Sequence, residues 1–169
     1  MIEVPYTGKP FEGVFNSIKS NGGIDELKKE VKVIPSDEIC MNYDNIIDNN
    51  FKQHWFSFYP NPWIKFDFGK KRINVTNYSL RTYSGDPGCG HLKSWVLEGS
   101  NDNINFEKID EVLESDFLNS PSAEHTFNCD CKEYYKLLRL SLIGRNHAGS
   151  DFLVIRSIEF FGSLQLPKN

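Results

Sequence analysis

Nothing in this sequence supplies an excess of positive charge: 19 Lys and Arg stand against 23 Asp and Glu, for a net charge of −4. Without that excess a chain cannot neutralise phosphates over a broad surface, so nucleic acid is not expected as a partner. No apolar run approaches the roughly 20 residues of a membrane-crossing helix, so no membrane span is expected. The first thirteen residues, MIEVPYTGKPFEG, lack a cationic start followed by an apolar stretch, which leads to the expectation of a cytoplasmic location, with cytoskeletal association as one form of it. Cysteine is sparse. Cys129 and Cys131 lie too close together to tie distant parts of the chain, and a domain of this size needs no bridges, so all four thiols, with Cys40 and Cys89, are expected to be reduced. Catalytic signatures such as GxSxG, HExxH or a P-loop are missing, and the chain is expected not to be an enzyme. The sequons at Asn74 and Asn77 are read as chance.

Aromatic residues are what the chain has in quantity: 13 Phe and 7 Tyr help to make up 14% of it, and large rings suit sheets. Phe11, Val14, Phe15 and Ile18 recur at spacings of three and four, which predicts a short N-terminal helix stopped by Ser20-Asn21-Gly22-Gly23. Residues 25–32 (DELKKEVK) then read as a further helical turn or a solvated connection. From Trp63 the period changes to two. In WIKFDFG, Ile64, Phe66 and Phe68 alternate with Lys65 and Asp67, a half-buried strand ending at Gly69. Tyr78, Leu80 and Thr82 mark a second strand, which ends in the loop 84–90. Residues 93–100 and 106–110 flank Asn101-Asp102-Asn103 and predict a hairpin. Residues 113–124 read as a polar connection. Leu138, Leu140 and Leu142 then share one strand face, and the last strand is expected over 153–162. Short strands separated by polar turns predict an all-β antiparallel sandwich or barrel. The domain division is 1–35 as a helical or extended segment packed on the domain, 36–163 as the sandwich, and 164–169 as a fraying tail.

An ordered set of segments carries a resemblance: Ile47-Asp48-Asn49 ahead of a Trp-containing loop, WIKFDFG, SWVLEGSNDN with Phe106 behind it, YKLLRLSLIGRNH, and IRSIEFFG. From about Asp48 to Gly162 this resembles the discoidin, or coagulation factor V/VIII type C, domains of the galactose-binding jelly-roll fold. The resemblance implies an antiparallel jelly-roll sandwich of about eight main strands. GHLKSWVLEGSND and RNHAGSDFL also resemble the intracellular variant found beside BTB and kelch-type proteins. FEGVFNSIKSNGG resembles a segment that precedes the sandwich in some protist proteins. Secreted relatives join the domain's two ends by a disulfide, and neither the entry strand nor IEFFGSLQ carries a Cys here, which argues against a clotting or phosphatidylserine-binding role.

In that family loops at one end bind the ligand, as loops on a rigid sandwich generally do. The loop 50–62 (NFKQHWFSFYPNP) offers Trp55, Phe56, Phe58 and Tyr59. Each ring either caps the core or lies exposed for a sugar or an apolar partner residue to stack on, and Trp55, Phe56 and Tyr59 are taken as candidates. Arg81, Tyr83, His91 and Lys93 form a second set, since sugar-binding relatives use Arg, His, Asn and rings here; the alternative for His91 is a histidine that bonds its own loop. Arg145, Asn146 and His147 form a third, beside turn-forming Gly149 and Ser150. No cofactor is required, but the resemblance implies a structural calcium site with Asp48 and Glu159 as oxygen ligands, set against a metal-free loop capped by Asp48. His125, Cys129 and Cys131 hold three potential zinc ligands without the usual paired knuckles. The expected function is a non-catalytic binding module, foremost an intracellular domain that contacts a protein partner or assembles into a complex. The alternative is a lectin-like module for galactose-type carbohydrate.

Overall fold

The two-residue alternation in WIKFDFG does place Ile64, Phe66 and Phe68 on one inner face, all essentially inaccessible to solvent. In the computed structural model, which describes residues 1–168, the strands in chain order are Ile2–Val4 (β1), Lys32–Pro35 (β2), Trp55–Ser57 (β3), Trp63–Asp67 (β4), Arg72–Arg81 (β5), Trp95–Ser100 (β6), Glu107–Val112 (β7), Glu124–Asn128 (β8), Leu137–Leu142 (β9), Leu153–Ile155 (β10) and Ser157–Gln165 (β11). A helix, Val14–Glu30 (α1), lies between β1 and β2. One sheet has the order β1-β11-β5-β8, the other β2-β4-β9-β6-β7, and β3 with β10 forms a separate ribbon. All pairings are antiparallel, so the architecture is the expected sandwich.

Rings fill the space between the layers. Phe15 of α1 packs within 6.1 Å, centroid to centroid, of Phe66, Phe68 and Phe160, so helix and sheets share one core. Tyr78 and Trp95 are buried with their polar tips satisfied: the Trp95 indole N–H donates to the Tyr78 hydroxyl (3.0 Å), which donates to Asp110 (2.6 Å). Burial pushes the Tyr78 phenol far above its ordinary range. Gly162, at φ 141°, sits where the β11–β5 register shifts, and a Cβ there would collide with the Asn74 backbone.

Several expectations are revised. Gly22-Gly23 does not stop the helix but kinks it: Gly23 alone is non-helical (φ 82°, ψ 179°), and residues 24–30 continue beyond it. Residues 1–35 are not merely packed on the sandwich, because β1 and β2 are edge strands of its two sheets. β8 lies just past the polar connection 113–124, in a stretch for which the sequence reading gives no strand: only Phe127 of its side chains is buried, too little for a period of two to show. The tail starts later than expected. β11 runs to Gln165, and Leu164 is buried between Ile2 and Ile73 in the pairing. The end of the expected tail, Asn169, lies outside the described residues.

Register fixes where the loops emerge. Trp63 pairs with Ser141, Trp95 with Leu142 and Val112, and Arg81 with Glu124 and Ser157, so the connections 58–62, 82–94, 113–123 and 143–152 leave from one end. Hydrogen bonds tie them together, among them Ser115 N–H to the Lys93 carbonyl (2.8 Å) and Leu142 N–H to the Pro62 carbonyl (3.1 Å).

Candidate functional site

A loop as long as 82–94 brings backbone polar groups under cover, and buried polar groups need partners. His91 supplies them. Its ring is inaccessible to solvent; Nδ1 lies 2.6 Å from the Thr82 hydroxyl, and Nε2 lies 2.8 and 3.0 Å from the Gly85 and Asp86 carbonyls. Two carbonyl neighbours require Nε2 to carry a hydrogen, and Nδ1 shares its hydrogen bond with the Thr82 hydroxyl. The His91 carbonyl accepts the His147 N–H (3.0 Å), and His147 Nε2 donates to the Ser115 carbonyl (2.8 Å), so three loops are linked in series. Tyr83 lies over the His91 ring (4.8 Å between centroids), and its hydroxyl accepts the Gly90 N–H. Burial raises the Tyr83 phenol above its ordinary value.

These contacts correct part of the expected site. His91 holds its own loop and presents nothing to a ligand. Asn146 is also interior: its carbonyl oxygen accepts the Ala148 and Ser150 N–H groups while its amide donates to Ser150 and the Phe152 carbonyl. His147 has little exposed side chain and is held by Ser115. Trp55 is fully buried on β3 opposite Ile155, so of the two readings of its ring the core one applies. Arg81 is committed on three sides: it pairs with Glu124 (2.9 Å), donates to the Asn49 carbonyl (3.1 Å), and lies 4.1 Å from the Phe11 ring centroid. It fastens the N-terminal segment to the sandwich. Lys93 pairs with Glu114 (2.8 Å), which holds its ammonium above the usual lysine value.

The two residues expected to bind calcium have internal donors instead. Asp48 accepts from the Lys19 ammonium (2.6 Å) and the Asn50 N–H, and Lys19 also donates to Asn49 (3.2 Å). Both Glu159 oxygens face backbone N–H groups at the start of α1. With an ammonium on Asp48 Oδ1 and both Glu159 oxygens turned to a helix N-terminus, the two carboxylates do not form the open oxygen set that a hard cation with six or more ligands takes. Among the described residues no three His, Cys, Asp or Glu side chains gather into a metal-binding group. His125 stacks flat on Phe117, with centroids 3.8 Å apart, and Cys129 is desolvated so that its thiol is pushed up to about 12.

What the loop end does expose is a ridge of rings beside a small cleft. Phe58, Tyr59 and Phe152 are 42%, 48% and 43% exposed, and Phe56 is half-buried beneath them. Phe58 stacks on Tyr59 (5.6 Å, 13° between planes) and on Phe56 (6.0 Å, 27°), and meets Phe152 at 5.8 Å. His54 extends the row from Phe56 to Tyr83, and its burial lowers its proton affinity. The adjoining cleft, about 220 Å³, is lined by Pro60, Asn61, Pro62, Leu142, Ile143, Gly144 and Asp151. Asn61 and Asp151 face solvent, and exposed Arg145 has no ion pair among the described residues. Of the ten residues expected to bind, Phe56, Tyr59 and Arg145 therefore lie on or next to this surface, and Tyr83 borders it. Phe58, named in its loop but not taken as a candidate, and Asn61, Asp151 and Phe152 were missed. A signal existed for the ridge: Pro60 and Pro62 directly after Phe58 and Tyr59 interrupt any strand there, which puts the two rings in a loop beyond the sheet rather than inside it.

No family model matches this chain. A segment of 105 residues, 59% of the chain, is 28% identical to the E3 ubiquitin-protein ligase Ufd4 of Drosophila melanogaster, and the chain spans only 4% of that protein's length. Among solved structures, CpGH89CBM32-5 from Clostridium perfringens, in complex with GalNAc-β-1,3-galactose, has a TM-score of 0.62 at 16% identity, covering 80% of this chain and 97% of its own. The CBM32 of AlyQ, in complex with 4,5-unsaturated mannuronic acid, has a TM-score of 0.61 at 17% identity, with 78% and 94% covered. The family 32 module of C. perfringens NanJ, in complex with galactose, has a TM-score of 0.61 at 15% identity, with 79% and 95% covered. At such identities the likeness establishes the galactose-binding-like jelly-roll fold.

Proposed function

We propose that this chain is a non-catalytic carbohydrate-binding module whose site is the aromatic ridge and the cleft beside it. One observation carries the reading: the stacked pair Phe58 and Tyr59 stands exposed at the edge of a cleft whose polar side chains are Asn61 and Asp151. A pyranose ring has an apolar face that an aromatic ring covers and an equatorial rim of hydroxyls that amides and carboxylates bond. The ridge supplies the first need; Asn61 and Asp151 supply the second, with Arg145 as a neighbouring cation. A cleft of about 220 Å³ suits one or two sugar units rather than a long chain. The structural neighbours that bind galactose, GalNAc-β-1,3-galactose and an unsaturated mannuronic acid support this ligand class. Because His91 and Asn146 are buried and Arg81 is already engaged by Glu124, Asn49 and Phe11, recognition here relies on other side chains than those the family resemblance suggests. A glycan-array screen with wild type and Tyr59→Ala tests the proposal: spots bound by the wild type and lost in the variant support it, and identical patterns refute it.

Protein docking is the second reading, and the width of the patch favours it. Phe56, Phe58, Tyr59, Phe152 and Ile143 form a wider apolar surface than one sugar covers, as a partner's side chains would require, and the matched segment of Ufd4 belongs to a protein-modifying ligase.

A further inference from the structure

The end of the sandwich opposite the ridge carries a cleft of another character. Lys70, Arg72 and Lys168 line it together with Gln165, Leu166 and Pro167, and its volume is about 330 Å³. Arg72 opens β5 and Gln165 closes β11, and the two are cross-strand partners, so the guanidinium and the amide rise from a paired sheet end. Lys70 sits in the tight turn between β4 and β5, closed by the Lys71 N–H to the Phe68 carbonyl (3.0 Å) and by Gly69 at φ 64°.

The charge arrangement calls for an anion. Lys70, Arg72 and Lys168 have no ion pair among the described residues, while the cations around them do: Lys71 pairs with Glu30 and Lys136 with Asp67. Among the described residues no Asp or Glu side chain lines the cleft, although the chain has more acids than bases. We propose that this cleft binds a multivalent oxyanion of the phosphate or sulfate class. The Arg72 fork matches two oxygens of such a group, the lysines add point charges, and the Gln165 amide contributes a further donor. A bound dianion also removes the repulsion among three cations held on one rim. The phosphate comes either from a soluble ligand or from a lipid headgroup, and the two sources are separable by experiment. The site is independent of the aromatic ridge, so neither proposal depends on the other.

The test is a titration of the full chain with pyrophosphate at low ionic strength, following backbone amide signals by NMR, with chloride at matched ionic strength as control. The expected result is saturable shifts confined to residues 70–72, 165, 166 and 168. Affinity should fall at least tenfold in Arg72→Ala and in Lys70→Ala, whose exposed positions leave the remaining spectrum in place. Shifts that never saturate, that chloride reproduces, or that persist unchanged in Arg72→Ala overturn the proposal. Co-sedimentation with phosphatidylcholine vesicles containing a phosphoinositide, absent with phosphatidylcholine alone, assigns the phosphate to a lipid headgroup. Pyrophosphate binding without sedimentation assigns it to a soluble ligand.

Discussion

Glu159 on β11 accepts a 2.9 Å hydrogen bond from the backbone N–H of Phe15, 144 residues earlier in the chain. The same carboxylate accepts from Gly13 (3.1 Å), Asn16 (3.0 Å) and its neighbour Phe160 (2.9 Å). The helix needs this, because Gly13 at its N-cap has no side chain to satisfy the first N–H groups. A sheet residue therefore caps α1 and docks it on the core. Replacing Glu159 with Ala leaves several buried donors without partners, at about 1–3 kcal/mol for each. Urea denaturation of Glu159→Ala is expected to show a loss of at least about 2 kcal/mol, with amide exchange speeding first in residues 13–17. An unchanged midpoint would mean that the helix is held by packing alone.

Burial outweighs the four hydrogen bonds and raises the Glu159 carboxyl from 4.5 to about 7. An acid bound more tightly to its proton in the folded state than in the unfolded state favours folding while protonated. Its contribution is complete below about pH 4.5 and is lost as pH rises through about 7, with a slope of up to about 1.4 kcal/mol per pH unit between them. Denaturation curves across pH 4–8 are expected to show this decline in the wild type and its absence in Glu159→Gln.

His91 and Arg81 are predicted to behave as scaffold. His91→Ala removes the partners of Thr82, Gly85 and Asp86 from a buried loop and is expected to cost about 2–4 kcal/mol. Arg81→Ala loses the Glu124 pair, the Asn49 bond and the contact with Phe11, at about 1–2 kcal/mol. Thermal melts check both. Full stability with abolished ligand binding would return these residues to the site.

Elements with a clean period were legible in the sequence. β4 and the β6–β7 hairpin lie where alternation and the Asn101-Asp102-Asn103 turn place them, and Asn103 does adopt the left-handed conformation (φ 63°). β1, β2 and β3 span three or four residues, shorter than any window in which alternation is visible, and their pairing is set by partners far along the chain. The site was half legible for a related reason. Residue type alone marks His91, Asn146 and Arg81 as suited to a ligand, but the same donors suit a long loop's own carbonyls, and only the folded chain shows which demand they meet. Phe152 follows a run of small turn formers, and its place beside Phe58 depends on the β3–β10 pairing.

The ridge is predicted to be dispensable for folding. Phe58, Tyr59 and Phe152 are more than a third exposed, so single Ala substitutions are expected to change stability by less than about 1 kcal/mol while each weakens ligand binding about tenfold or more. Calorimetric titration of a bound glycan, paired with a melt of each variant, separates the two effects.

The central claim is that the ridge and its cleft bind carbohydrate, and the most direct measurement of it is an NMR titration with a glycan identified on the array. The account predicts saturable shifts at Phe58, Tyr59, Asn61, the 143–145 backbone, Asp151 and Phe152, abolished in Tyr59→Ala. Saturable shifts centred instead on residues 84–91, or binding that survives loss of both Phe58 and Tyr59, would contradict it.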